Sequence, residues 1–182
     1  GLFEDIVQSG AVRPAETGLW FSETGDIWGD SHGSFAAAKR CLYIMLRNSQ
    51  MPLDVVVEQD ALDGTLDRYK TLALADAHVS RRASEKIAAW VQRGGTLVGT
   101  AGAGMFDEYN RPNETLRALF GVDQTELAEP AGAQIVYEKQ GLPFVEPIAE
   151  VGGGDGANGR MPVFCVRSRV ALRDAQPRRY FL

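Results

Sequence analysis

The stretch Ser80–Thr100, SRRASEKIAAWVQRGGTLVGT, constrains the fold more than any other part of the chain. Ser80 is a helix N-cap by its chemistry, since its hydroxyl can accept one of the orphan backbone N–H groups of a first turn. Ala83, Ile87, Trp90 and Val91 then recur at three- and four-residue spacings, the pattern of a helix that buries one face. Gly94-Gly95 ends the helix, as a left-handed cap position requires. Thr96–Thr100 follows at once as a short apolar strand. A helix running through two glycines into a buried strand belongs to a βαβ unit, and the strand that opens that unit should lie upstream.

It does. Thr71–Ala75 (TLALA) reads as a buried strand before Ser80, and the same alternation extends further back. Gly18–Ser22 is a first strand and Leu53–Val57 (LDVVV) a second. Between them, Phe35, Ala38, Cys41, Leu42 and Met45 give a helical period from Ser34 to about Asn48, with Ser31 or Ser34 available as its cap. Residues 1–17 read as a lead-in segment, 22–33 as a polar loop, and 58–69 as a polar connection. Asn113–Phe120 is a short helix ended by Gly121. Strands alternating with helices give a parallel sheet covered on both faces. The expected fold is α/β, flavodoxin-like and doubly wound, with its functional edge at the strand C-termini. Beyond Gly121 the texture changes, with strands expected at Gln134–Lys139 and Met161–Leu172 around a glycine-rich loop at 151–160. Residues 18–182 are therefore read as one domain, a core over 18–122 with an appended β-rich tail over 123–182.

Composition narrows the functional classes. A chain of 182 residues and 19.8 kDa is one ordinary globular domain. A net charge of −5 argues against nucleic acid or an anionic membrane surface as partner. No apolar run reaches the ~20 residues that span a bilayer. Two cysteines (Cys41 and Cys165, each in an apolar stretch) and two histidines (His32 and His78) are too few for a disulfide framework or a zinc site. No metal or cofactor is expected. The start at Gly1-Leu2 fits a processed product or a piece of something longer, and without a signal-peptide pattern the expected location is the cytoplasm.

Several motif matches fail on context. Gly29-Asp30-Ser31-His32-Gly33 fits the G-x-S-x-G nucleophile elbow, but six polar residues separate it from the first strand, and the elbow needs a strand running straight into the turn. Asp30-x-His32 resembles the opening ligands of a bimetal phosphoesterase, which needs more histidines than this chain has. Gly154-Asp155-Gly156-Ala157-Asn158-Gly159 fits G-x-G-x-x-G, yet Pro162 and a strand follow it where a phosphate-binding helix should start. Gly102-Ala103-Gly104 lies at a strand end but opens no helix.

Acids dominate the loops after the strands: Glu23, Asp26, Asp76, Asp107 and Glu108. Trp28 stands among them, and a tryptophan ringed by carboxylates is the composition of a sugar-stacking surface. Together with Ser22 at the end of the first strand, these residues form the candidate ligand-binding set. No catalytic residue is assigned, since loop acids are usually solvated and a catalytic pair depends on a separation that sequence does not supply.

One family resemblance spans Gly18 to Val122. It is carried by Tyr69-Lys70, by the run Ala89-Trp90-Val91-Gln92-Arg93-Gly94-Gly95-Thr96-Leu97-Val98, and by Met105-Phe106-Asp107-Glu108-Tyr109-Asn110-Arg111-Pro112 leading to Leu119-Phe120-Gly121-Val122. These residues resemble the class I glutamine amidotransferase-like fold, and more narrowly the β-galactosidase trimerisation domain, the middle domain of glycoside hydrolase family 42 enzymes. An amidotransferase would need a cysteine after the fourth strand and a late His–Glu pair. Ala101 stands where the thiol should be, and no histidine follows His78. The resemblance thus implies the fold without the chemistry. The partners it implies are further copies of the chain, forming a homo-oligomer such as a trimer, or a neighbouring glycosidase barrel. The tail, with Val163, Phe164, Val166, Tyr180, Phe181 and Leu182, is the expected contact. Two alternatives stand beside this reading: a stand-alone carbohydrate or small-molecule binding module using the strand edge, and a weak hydrolase using Ser31.

Overall fold

The computed structural model describes residues 10, 13–29, 33–128, 149–153, 161–163, 167–176 and 179–181. Its centre is a parallel sheet of β1 (Thr17–Phe21), β2 (Leu53–Val57), β3 (Thr71–Leu74) and β4 (Thr96–Gly99), in the order β2-β1-β3-β4. Each strand lies within a residue of the segment predicted from the apolar runs. The register sets Val55, Leu19, Ala73 and Val98 in one row across the sheet. Side chains alternate between faces along a strand, so this row and the one containing Trp20 and Val56 point to opposite sides.

The Trp20 side is the core. Trp20, Val56, Leu72 and Leu74 pack there with α4 (Arg81–Gln92), through Ala83, Ile87 and Trp90. Ala61 of α3 (Glu58–Leu62), Leu66 of the 3₁₀ turn Thr65–Arg68 and Leu116 of α5 (Glu114–Phe120) complete it. The segment 58–69, read as a polar connection, is thus mostly helical. Asp60 starts α3 by accepting the Val57 N–H at 2.9 Å, and Ala61 and Leu66 are its buried anchors. Caps fall where their chemistry predicts: Ser80 accepts from Ala83 N–H, Asn113 from Leu116 N–H, and Gly121 closes α5 at φ 66°.

Three expectations are corrected. The loop 22–33 contains a helix, α1 (Glu23–Trp28), because Ser22 caps it by accepting the Gly25 N–H. The long helix α2 (Ser34–Asn48) has the expected span, and among the described residues its N-cap is Gly33, which offers no side chain. The apolar positions that give its period do not mark its buried side. Cys41 and Met45 are exposed, and the buried residue of α2 is Lys39. The helix is turned so that Ala36, Lys39, Arg40, Tyr43 and Ile44 line a groove of about 490 Å³ against Leu19, Phe21 and Val55. That second face is incompletely covered among the described residues: Val55 and Val98, at the two ends of the row, are 52% and 50% exposed.

The tail is antiparallel where it is described. β5 (Val122–Ala128) pairs with β8 (Arg167–Leu172), and β6 (Ala149–Gly153) pairs with β7 (Met161–Val163) and β9 (Arg179–Phe181). The run predicted as one strand over 161–172 is two, and β6 runs into what was read as the glycine-rich loop. The lead-in 1–9, the expected strand at 134–139, the stretch 154–160, and Asp30, Ser31 and His32 lie outside the described residues.

Candidate functional site

The strand C-termini carry two polar clusters. The first sits where the chain leaves β1 and β3. Ser22 donates its backbone N–H to Asp76 Oδ2 at 2.9 Å, and its hydroxyl reaches the His78 carbonyl at 2.8 Å and Glu58 Oε1 at 3.0 Å. Lys39, the buried residue of α2, brings its ammonium 2.8 Å from Asp76 Oδ1 and 3.3 Å from Asp26 Oδ1, and 4.1 Å above the Phe21 ring. Gly25 lets α1 lie against this group, since a Cβ there would come within 3.1 Å of the Asp76 carboxylate. Burial pushes the Asp76 carboxyl above its ordinary range, against the pull of Lys39 and the Ser22 N–H. In a doubly wound sheet the crevice between such strand ends is where ligands bind. Here the chain's own ammonium fills it.

The second cluster is a loop wound round a carboxylate. Asp107, 1% exposed, accepts the N–H groups of Tyr109 and Arg111 on Oδ1, both at 2.9 Å, and the Arg81 guanidinium on Oδ2. Burial alone would raise its pKa, but the Arg111 N–H, Arg81 and the Tyr109 N–H outweigh it and the carboxyl lies below its ordinary value. A carboxylate held this way adds stability above its unfolded pKa and loses that contribution as pH falls through the folded one. The protection of the amides of residues 107–111, taken relative to the intrinsic exchange rate at each pH, should therefore fall on acidification below the ordinary Asp range. In Asp107→Asn that acid-dependent step should be absent. Glu108 accepts the Arg81 N–H at 2.8 Å, and its carbonyl accepts Trp28 Nε1–H at 3.0 Å. The indole stacks on His78 (centroids 5.6 Å apart, 11° between planes), and His78 stacks on Phe106 at 5.1 Å.

The candidate residues therefore divide. Ser22, Asp26 and Asp76 meet in the Lys39 cluster; Trp28, Asp107 and Glu108 meet in the second; Glu23 is exposed on α1. Asp76 and Asp107 are each spent on a cation and backbone N–H groups, which is how buried carboxylates are held in place. Sequence reasoning missed Lys39, Glu58, Arg81 and Asn110. The available signal for Lys39 was a lysine on the inner side of a helix in a chain with acids at two nearby strand ends. At the end of β4, Ala101 lies in the turn Ala101–Gly104, and Gly102 is closed over by Phe35 and Leu127.

The sheet order and the helices on both faces define a flavodoxin-like α/β protein whose switch-point crevice is internally filled. Solved structures share this fold. A β-galactosidase from Bacillus circulans sp. alkalophilus superposes with a TM-score of 0.72 at 15% identity, covering 98% of this chain and 26% of its own. A catalytic mutant of Gan42B, a GH42 β-galactosidase from G. stearothermophilus, gives 0.66 at 20% identity, covering 94% and 24%. A β-galactosidase from Bifidobacterium adolescentis gives 0.52 at 17%, covering 80% and 64%. The chain thus spans about a quarter of the first two and carries the fold found in GH42 β-galactosidase chains. No protein-family model matches it, and no curated protein does.

Proposed function

We propose that this chain is a non-catalytic domain of a GH42-type glycosidase, acting in homo-oligomer assembly or in shaping the active site of an adjacent barrel domain. The observation that supports this best is the fold shared with GH42 chains over nearly the whole of this one. The elbow position, where an amidotransferase would carry its thiol, holds Ala101. The incompletely covered sheet face supports an assembly role, because parallel sheets are normally buried on both sides. On that face Val55 and Val98 are half-exposed, and Tyr43, Ile44 and Met45 of α2 are exposed as well.

Light scattering across a concentration series tests the assembly role. The expected result is a mass that rises above 19.8 kDa with concentration and returns to the monomer in Val98→Asp. A strict monomer at high micromolar concentration, which also fails to bind a GH42 barrel added in trans, would remove it. Glutamine should yield no ammonia above a heat-killed control. Release abolished by substituting Cys41 or Cys165 would revive the amidotransferase chemistry.

A further inference from the structure

We propose that Trp28, backed by His78 and Phe106 and flanked by the loop 107–111, is a pyranose-stacking platform that takes the apolar face of a galactoside. The proposal deepens the glycosidase-associated reading, which supplies the choice of sugar, while the platform itself is argued from geometry.

The indole is 49% exposed although it is stacked on His78, which leaves about half of its surface available to a ligand. It is also fixed. Nε1–H is held by the Glu108 carbonyl, His78 Nε2 lies 2.9 Å from Asn110 Oδ1, and the imidazole rests on Phe106. A ring immobilised before binding loses little side-chain entropy when a ligand stacks on it. The loop that holds it is equally set. Asn110, in the left-handed region at φ 57°, donates its N–H to the Asp107 carbonyl, and Asp107 gathers the Tyr109 and Arg111 N–H groups beneath.

The polar groups around the ring suit hydroxyls. Asn110 is exposed with its Oδ1 2.9 Å from His78 Nε2, and its NH₂ group is the donor the proposal assigns to a sugar hydroxyl. Glu108 offers a carboxylate acceptor, and Tyr109, 63% exposed, carries a phenol stacked against Arg81 at 5.5 Å. An aromatic face for the C–H side of a pyranose, edged by planar amide and carboxylate groups for its hydroxyls, is the chemistry of sugar recognition.

Trp20 and Trp90 are buried, so Trp28 is the tryptophan open to an aqueous quencher. Methyl β-galactoside titrated into the 182-residue chain should lower acrylamide quenching at least twofold and shift the emission to the blue, with half-saturation on the order of 1 mM. Saturation-transfer NMR should place the galactoside H3, H4 and H5 against aromatic protons. Asn110→Ala, which keeps the indole, should weaken binding about threefold to tenfold. Trp28→Ala should abolish it in the NMR experiment, with the far-ultraviolet CD unchanged. The proposal is overturned if folded protein shows neither protection nor saturation transfer, or if sorbitol protects as well as the galactoside. It is equally overturned if the exposure of Trp28 disappears on self-association alone. The titration, saturation-transfer and variant results do not depend on the mass of the assembly, so the two readings fail separately.

Discussion

Lys39→Met should destabilise the chain by about 3–5 kcal/mol at neutral pH, the range seen when one partner of a buried ion pair is removed. The substitution keeps the length of the side chain and most of its packing over Phe21, but takes the cation away from Asp76, which is 3% exposed. What remains is a buried carboxylate supported by the Ser22 N–H alone. Acid should give the mechanism away. Burial already raises the Asp76 carboxyl, so the folded state binds its proton more tightly than the unfolded chain does. A group of this kind contributes most below its unfolded pKa and loses that contribution as pH rises through the folded one. Without Lys39 the carboxyl moves higher still, so the variant should gain more stability on acidification than the parent does. Urea unfolding at neutral pH and near the upper carboxylate range would show the gap between the two narrowing. The double substitution Lys39→Met, Asp76→Asn should regain most of the loss at neutral pH, because an amide accepts the Ser22 N–H without carrying charge. A gap independent of pH, with no recovery in the double variant, would mean that Lys39 matters only as packing.

The same cluster explains what could be read from the sequence and what could not. Strands and helices were legible where local patterns and burial agree. Ser80, Gly94-Gly95 and the stripe Ala83, Ile87, Trp90 announce α4, and the apolar runs announce all four parallel strands. Patterning misled at α2, where Phe35, Ala38, Cys41, Leu42 and Met45 make a good stripe. The helix instead rotates to put Lys39 over the two carboxylates. Electrostatic demand outweighed the apolar pattern, since Asp76 is committed to the interior by β3 and needs a cation there. The helix α1 was hidden for a related reason. Glu23, Gly25 and Asp26 are loop residues by composition, and the Ser22 cap starts the helix they form. The candidate site was legible as a set of residue types on one edge of the sheet. Its division into a plugged crevice and a wound loop depends on partners 13 to 80 residues away in sequence, such as Ser22 with Asp76 and Trp28 with Glu108. No short-range pattern encodes such pairs.

Gly95→Ala should cost about 3 kcal/mol, well above the roughly 1 kcal/mol expected of Gly94→Ala, although the two glycines are adjacent and look equivalent in sequence. Gly94 is needed for its backbone. It sits at φ 105°, where L side chains are strained, and an added methyl would meet nothing within 4 Å. Gly95 is needed for space. A Cβ there would drive into Cδ2, Cε2 and Cζ2 of the Trp90 indole, well inside van der Waals contact. Trp90 is 3% exposed and wedged in the core with Ile87 and Leu66, so it has no room to swing aside. The backbone is equally committed, because Gly95 N–H returns to the Trp90 carbonyl and Thr96 N–H to Lys70 on the way into β4. A double-mutant cycle separates the causes. Trp90→Leu alone should lose about 2–3 kcal/mol from the cavity it leaves. In that background Gly95→Ala should cost less than about 1 kcal/mol, because the methyl enters vacated volume. Gly94→Ala should cost the same in both backgrounds, since its strain does not involve the ring. Denaturant midpoints for the variants supply all the terms. Additive losses for Gly95→Ala and Trp90→Leu would show that the second glycine is kept for its conformation, not for the indole lying against it.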